Sequence, residues 1–520
     1  MNGFPILLVL GLVPLVGSVA VGALPRGRDL VAKQLTLAFS IATLLVTIGI
    51  CLAFEAGAGE RFQFVTSYEW IRSFGVSFSL GVDGIALVLI ALVAVLVPAV
   101  VVASWNEDMS ESAATAGSGR QRSPKLFFSL LLLLEVMMIG VFVATDVFLF
   151  YVFFEAMLVP MYFLIGSFGG PRRQYAAVKF FLYSLLGGLI MLAAVIGLYF
   201  ATSERTFSFE RLVAGQIDPG LQKWLFLGFF VAFAIKAPLV PFHTWLPDAG
   251  AEAPIGGAAL LVGVLDKVGT FGFIRYCLPL FPDASRFFAP LVLVLSVVGI
   301  IYAALLAMGQ KDMKRLVAYT SVAHFGFIGL GIFAFTTQGM SGAVFYMVNH
   351  GLSTGALFLI VGVLIARGNS RLIADYGGVA KVAPVLGGVF LLIGLSSLAL
   401  PGMSTFVSEF LVLLGTFARH PVYAVVATVG IILAALYILL LVQRTMHGPP
   451  RGAALRPFRD LTGREAWAVA PLLALILVLG VYPKPLLDVV NPAVARTMQD
   501  AGQTDPQPTV RVDAEESAGD

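Results

Sequence analysis

Charge is scarce in this chain. Asp, Glu, Lys and Arg make up 12% of its 520 residues, about half their share in soluble domains. The 33 Lys and Arg against 30 Asp and Glu leave a net charge of +3, which carries no signal for nucleic acid. Cysteine is nearly missing: Cys51 and Cys277 each lie in or at the edge of an apolar run. They supply neither a disulfide framework nor Cys-x-x-Cys spacing, so an iron–sulfur or zinc site is not supported. No glycine-rich nucleotide fingerprint follows a strand and no metal-ligand cluster is present; GVDG at 81–84 and the glycines of the apolar runs read as packing signals. The first apolar run begins at Phe4 without a basic leader or a small-residue cleavage site, so it is expected to stay as a helix.

What the chain has instead is apolar length. It is 59% hydrophobic with a mean hydropathy of +0.93, the composition of a protein solvated by lipid. Runs of about 20 residues, enough to cross the hydrocarbon, recur near 3–24, 33–54, 77–104, 126–145, 147–168, 174–201, 222–247, 255–278, 287–308, 315–335, 340–366, 384–417, 421–443 and 465–482. These runs predict fourteen helices, in an all-α polytopic membrane protein. Strands are not expected, because the runs are continuous rather than alternating. Nineteen Lys and Arg fall in the loops after odd-numbered helices and eight in the opposite loops. By the positive-inside rule the odd loops are cytoplasmic, 105–125 among them, and both termini are not.

Three cations fit no loop: Lys179, Lys236 and Lys267. A charge at mid-bilayer costs roughly 2.5–3.5 kcal/mol on insertion scales, so such a residue normally faces protein and finds a partner. Glu155 in helix five and Glu409 in helix twelve are the acids set deepest; Glu135 and Asp266 are further candidates. Lys179 follows Arg172 and Arg173 and could snorkel to the headgroups. Lys236 and Glu155 could be a structural ion pair only. Asp266 is expected to point away from Lys267, since neighbours i and i+1 occupy different helix faces.

The segment FAIKAPLVPFHTWLPDA (233–249) ends an apolar run with Lys236 and then Pro238, Pro241 and Pro247. Proline cannot continue the hydrogen-bond ladder, so helix seven must break there. Freed carbonyls at bilayer depth are tolerated only against protein or a wet cavity. The run 384–417 is too long for one straight span and holds Pro401 and Gly402, so helix twelve breaks too. The two breaks lie five helices apart, and an odd number of crossings inverts topology. This is the layout of an inverted repeat, 126–278 (helices four to eight) against 287–443 (nine to thirteen). Helices one to three (1–104) precede it; helix fourteen (465–482) and a polar tail (497–520), expected to be disordered, come after it. His324 and His350 lie in helices ten and eleven, away from charged loops. Histidine can pass a proton between its nitrogens; hydrogen-bonded packing and axial haem ligation are the competing readings.

Several stretches carry a family likeness: FFEAMLVPMYFLIGSFGG (153–170), AAVKFFLYSLLGGLIML (176–192), KAPLVPFHTWLPDAGAEAP (236–254), LDKVGTFGFIRY (265–276), KDMKRLVAYTSVAHFGF (311–327), NHGLSTGALFLIVG (349–362) and LPGMSTFVSEF (400–410). In this order they resemble the antiporter-like membrane subunits of respiratory complex I, across helices three to thirteen. The resemblance implies fourteen helices, two inverted five-helix units and a hydrophilic axis along the membrane centre. It implies proton translocation driven by NADH oxidation and quinone reduction elsewhere, with FMN, iron–sulfur clusters and quinone in other subunits and no cofactor in this chain. Carried over by motif, Glu155 is the helix-five acid that pairs with Lys236, Lys267 is the helix-eight relay lysine, and His324 and His350 are its bridges. Glu409 resembles the helix-twelve acid of one branch, where the other subunits L and N look to carry lysine. The implied partners are the other membrane subunits, L and N above all, with the lipid bilayer and protons and no nucleic acid. The implied location is a bacterial cell membrane. A sodium/proton antiporter subunit and a scaffold subunit stay open as alternatives.

Overall fold

The computed structural model describes residues 4–106, 123–455 and 458–507. Among them, twelve helices are long and apolar enough to cross a membrane. They are α1 (Ile6–Ala23), α2 (Asp29–Ala53), α3 (Gly84–Asn106), α4 (Pro124–Val143), α5 (Val147–Phe168), α6 (Arg173–Ala201), α8 (Ile255–Leu280), α9 (Pro282–Met308), α10 (Met313–Phe333), α11 (Thr337–Gly368), α13 (Pro421–Met446) and α14 (Gly463–Val481). Two more apolar runs are each split: α7a (Pro219–Lys236) with α7b (Trp245–Glu252), and α12a (Pro384–Ser397) with α12b (Ser404–Arg419).

Both interruptions fall where the prolines demanded, and both use the same device to satisfy the backbone. The Trp245 indole N–H, from α7b, donates to the Ile235 carbonyl of α7a at 2.8 Å. The Thr405 hydroxyl, from α12b, donates to the Ser396 carbonyl of α12a. In α7 the second half supplies the donor that the first half's last turn has lost; in α12 it adds to the Ala399 N–H, which already donates to the Ser396 carbonyl at 3.0 Å. Gly402 reverses the chain between α12a and α12b at φ +92°, a conformation open to glycine at little cost.

Burial sorts the helices. α8, α10 and α11 are enclosed on nearly all sides, whereas α1, α2, α13 and α14 turn side chains such as Leu52, Val422 and Val481 outward. The three enclosed helices are the ones that carry Lys267, His324 and His350. A buried polar group without a partner is costly, so the interior must satisfy these groups itself.

The chain is nearly all helical, as expected, and departs from expectation at three points. First, β1 (Gln63–Ile71) and β2 (Val76–Val82) form an antiparallel hairpin before α3, where no strand was expected. The expected start of helix three at 77 therefore falls in a strand. VSFSLGV alternates polar and apolar side chains, which suits a strand with Val76 and Leu80 turned inward. Asp83 ends the strand and caps α3, accepting from the Ala86 N–H at 2.9 Å. Second, residues 497–500 of the expected tail are helical, within α15 (Lys484–Asp500). Its apolar face, with Val490, Val494 and Met498, is buried, and Gly84 of α3 lies directly against the Val489 carbonyl. Third, α4 starts at Pro124, inside the expected 105–125 loop. Residues 107–122 of that loop and 508–520 of the tail lie outside the described residues.

Candidate functional site

The centre of α8 is not a regular α-helix. Leu261–Leu265 and Phe273–Cys277 are π-helical segments on either side of Lys267. An extra residue per turn widens the helix and rotates the next turn about its axis, a feature that recurs at functional sites. The expectation for Asp266 is corrected just beyond the first of these segments. The two neighbours meet, with Lys267 Nζ 3.0 Å from Asp266 Oδ1 and both side chains fully buried. Lys267 Nζ also donates to the Val262 carbonyl, which the π segment frees.

Its third contact crosses to α11: Lys267 Nζ lies 2.6 Å from His350 Nδ1. An ammonium can only donate, so Nδ1 accepts and the ring carries its hydrogen on Nε2. That nitrogen then donates to the Ser321 hydroxyl of α10 at 3.1 Å. With both nitrogens engaged, His350 is not free to ligate a haem iron. His324 stands edge-on to His350 with ring centroids 5.2 Å apart. The His324 ring lies against the Ser397 backbone at the α12 break.

Beyond His324 comes a residue that sequence reasoning missed. The Tyr346 ring lies 5.7 Å from the His324 ring, and its hydroxyl donates to Glu409 Oε1 at 2.5 Å. Tyr346 sits four residues before His350 on α11, hence on the same face, and that spacing was the available signal. Lys267, His350, His324, Tyr346 and Glu409 thus form one buried row from α8 to α12b.

Glu155 and Lys236 are arranged differently. They interact electrostatically, yet no hydrogen bond or ion pair among the described residues joins them. Lys236 Nζ is buried over the Phe154 ring at 4.8 Å and the Phe180 ring at 5.8 Å. The Glu155 carboxylate turns instead to Gly188 of α6, where a Cβ would fall 1.6 Å from Oε1. Pro160 lacks the N–H that would pair with the Ala156 carbonyl, and α5 is offset at Met157, two residues after the glutamate. The expected pair is therefore open in this structure, with Gly188 providing the seat.

The remaining candidates divide. Lys179 has a partner: Asp248 of α7b holds it at 2.7 Å and is itself held by Arg315 at 2.5 Å. Glu135 of α4 is buried with no hydrogen-bond partner for its carboxylate among the described residues and stays outside the row. His243 is buried in the α7 break against the rings of Tyr302 and Tyr319. No group of three or more His, Cys, Asp or Glu among the described residues is arranged to hold a metal ion.

Residues 144–434 match the family model described as NADH:quinone oxidoreductase/Mrp antiporter, transmembrane. The chain is 52% identical to NADH-quinone oxidoreductase subunit M of Mycobacterium tuberculosis, over 98% of this chain and 97% of that protein. It belongs to this family. The subunit M of Rhodobacter capsulatus is 40% identical over 95% of the chain and 96% of its own length. Among solved structures, a chain of respiratory complex I from Thermus thermophilus with bound NADH superposes with a TM-score of 0.84 at 32% identity, covering 95% of this chain and all of that one. As a member of the NADH:quinone oxidoreductase/Mrp antiporter family, the chain is a multi-pass membrane protein. The family match spans Glu155, Lys236, Lys267, His324, His350 and Glu409. The hairpin, α14 and α15 lie outside it.

Proposed function

We propose that this chain is a proton-translocating membrane subunit of an NADH-quinone oxidoreductase, as its subunit M relatives are named, with no redox site of its own. The observation that carries this reading is the buried row from Lys267 through His350, His324 and Tyr346 to Glu409, which offers successive proton-exchanging groups across the interior.

Glu155 and Lys236 are the switch that feeds the row. A carboxylate brought against Lys236 holds the lysine's proton, and one drawn away to Gly188 lets it go, because burial alone disfavours the ammonium. The released proton passes to Lys267 and on toward Glu409. The driving energy comes from NADH oxidation and quinone reduction in other subunits, which also hold the FMN and iron–sulfur clusters. In this reading each split pair, α7a/α7b and α12a/α12b, makes one crossing. There are then fourteen crossings, with 126–278 and 287–443 as two inverted five-helix units. The chain lies in a bacterial cell membrane, both termini on the non-cytoplasmic side, beside subunits L and N.

The test is NADH-driven proton uptake by membrane vesicles containing the assembled enzyme. Lys236→Ala and Glu155→Gln are expected to abolish pumping. Normal pumping by assembled variants rejects the roles given to these residues and favours a scaffold; transport that requires sodium favours the antiporter reading.

A further inference from the structure

Asp266 is not a member of the row, yet it is fully buried and touches the row's first residue. We propose that Asp266 and Lys267 work as one proton-holding pair, in which Asp266 is both the counter-charge of the relay lysine and an alternative seat for its proton. This rests on the proton-translocating reading of the chain.

Three observations point this way. The contact is direct at 3.0 Å and wholly buried, unlike the open Glu155/Lys236 pair. The two side chains leave the helix about 100° apart, and the long Lys267 chain closes that gap to place its Nζ on the Asp266 carboxylate rather than elsewhere in the interior. Only one Asp266 oxygen is used: Oδ2 has no hydrogen-bond partner among the described residues and can carry a proton.

Transfer within the pair balances simply. An N–H bond breaks at Lys267 Nζ and an O–H bond forms on Asp266, so ammonium and carboxylate become amine and carboxylic acid. Net charge is zero in both forms. A proton arriving from Lys236 then meets a neutral site rather than a fixed cation, and an outgoing one leaves toward His350 Nδ1.

The surroundings leave the pair to itself. Lys267 is the charge that acts on Asp266, and His350 of α11 and His324 of α10 in turn sense Lys267. On the other helices packed against α8, α7a brings Lys236 and α4 the isolated Glu135. Asp83 of α3 is engaged by Arg275. Asp248 and Glu252 of α7b are engaged by Lys179, Arg315 and Arg371.

The experiment compares Asp266→Asn with Lys236→Ala in NADH-driven vesicle pumping, per assembled complex, across pH. Without the neighbouring anion Lys267 binds its proton less tightly. Asp266→Asn is therefore expected to pump several-fold more slowly, with the alkaline limb of its pH profile moved about one unit toward acid. An unchanged profile in Asp266→Asn, with pumping lost in Lys236→Ala, overturns the proposal and leaves the translocation reading standing. Unchanged pumping in Lys236→Ala removes both. Should Asp266→Asn fail to assemble, Asp266→Glu keeps the charge but shifts its position; a displaced alkaline limb supports the pair and an unmoved one overturns it.

Discussion

The Tyr346 hydroxyl donates to Glu409 Oε1 at 2.5 Å, and both side chains are buried between α11 and α12b. This contact turns an isolated acid at the α12 break into the end of a connected row. Glu409 Oε2 has no hydrogen-bond partner among the described residues, so the carboxylate depends on that single donor.

Replacing Tyr346 with Phe removes the donor and keeps the ring. Pumping per assembled complex is expected to fall by about 10²-fold, the lower range for a positioned proton-transfer group. Vesicle acidification measured against NADH oxidation checks this. Equal pumping would show that the tyrosine only packs.

Gly188→Val should uncouple the enzyme without altering any charge. The new side chain occupies the seat of the Glu155 carboxylate, which must then leave α6. The expected phenotype is that of Glu155→Gln, with pumping lost in an assembled complex. Normal pumping in this variant would mean that the seat is not used.

Trp245→Phe tests the α7 break. It removes the donor at 2.8 Å from the buried Ile235 carbonyl, one residue from Lys236. An unsatisfied buried group costs about 1–3 kcal/mol, so the thermal midpoint of the solubilised complex should drop. A midpoint equal to that of the unmodified complex would show that another donor replaces the indole.

Gly269→Ala tests the packing of α8 on α7a. A Cβ there would lie 2.5 Å from both the Ala237 nitrogen and the Phe233 carbonyl oxygen, backbone atoms that cannot yield cheaply. Overpacking typically costs about 1–3 kcal/mol. Less assembled complex in the membrane, measured by native gel, is the expected result.

Part of the site was open to sequence reasoning because its signals are local. Lys267, His324, His350 and Glu409 stood out as ionisable groups inside apolar runs, and Pro238, Pro241 and Pro401 announced the breaks. The hairpin and α15 were also written locally, in the alternation of VSFSLGV and the spacing of Val490, Val494 and Met498. Neither is a long apolar run, so hydropathy alone does not mark them. Tyr346 was hidden for another reason: a tyrosine in a helix of this composition is unremarkable until its hydroxyl is seen to face an acid.

By itself, then, the sequence determined the class of protein, the placement of its apolar helices, where two of them break and which charges lie inside. Hydropathy and proline act on the residues where they occur, so these features are set by order along the chain. Tertiary structure alone decided which of those charges touch. The Lys267 chain folds back onto Asp266 inside the packed α8, the Glu155 carboxylate lies against the bare Gly188 of α6, and Lys179 is held by Asp248. Each depends on how one helix is turned against another, and no one-dimensional pattern carries that angle.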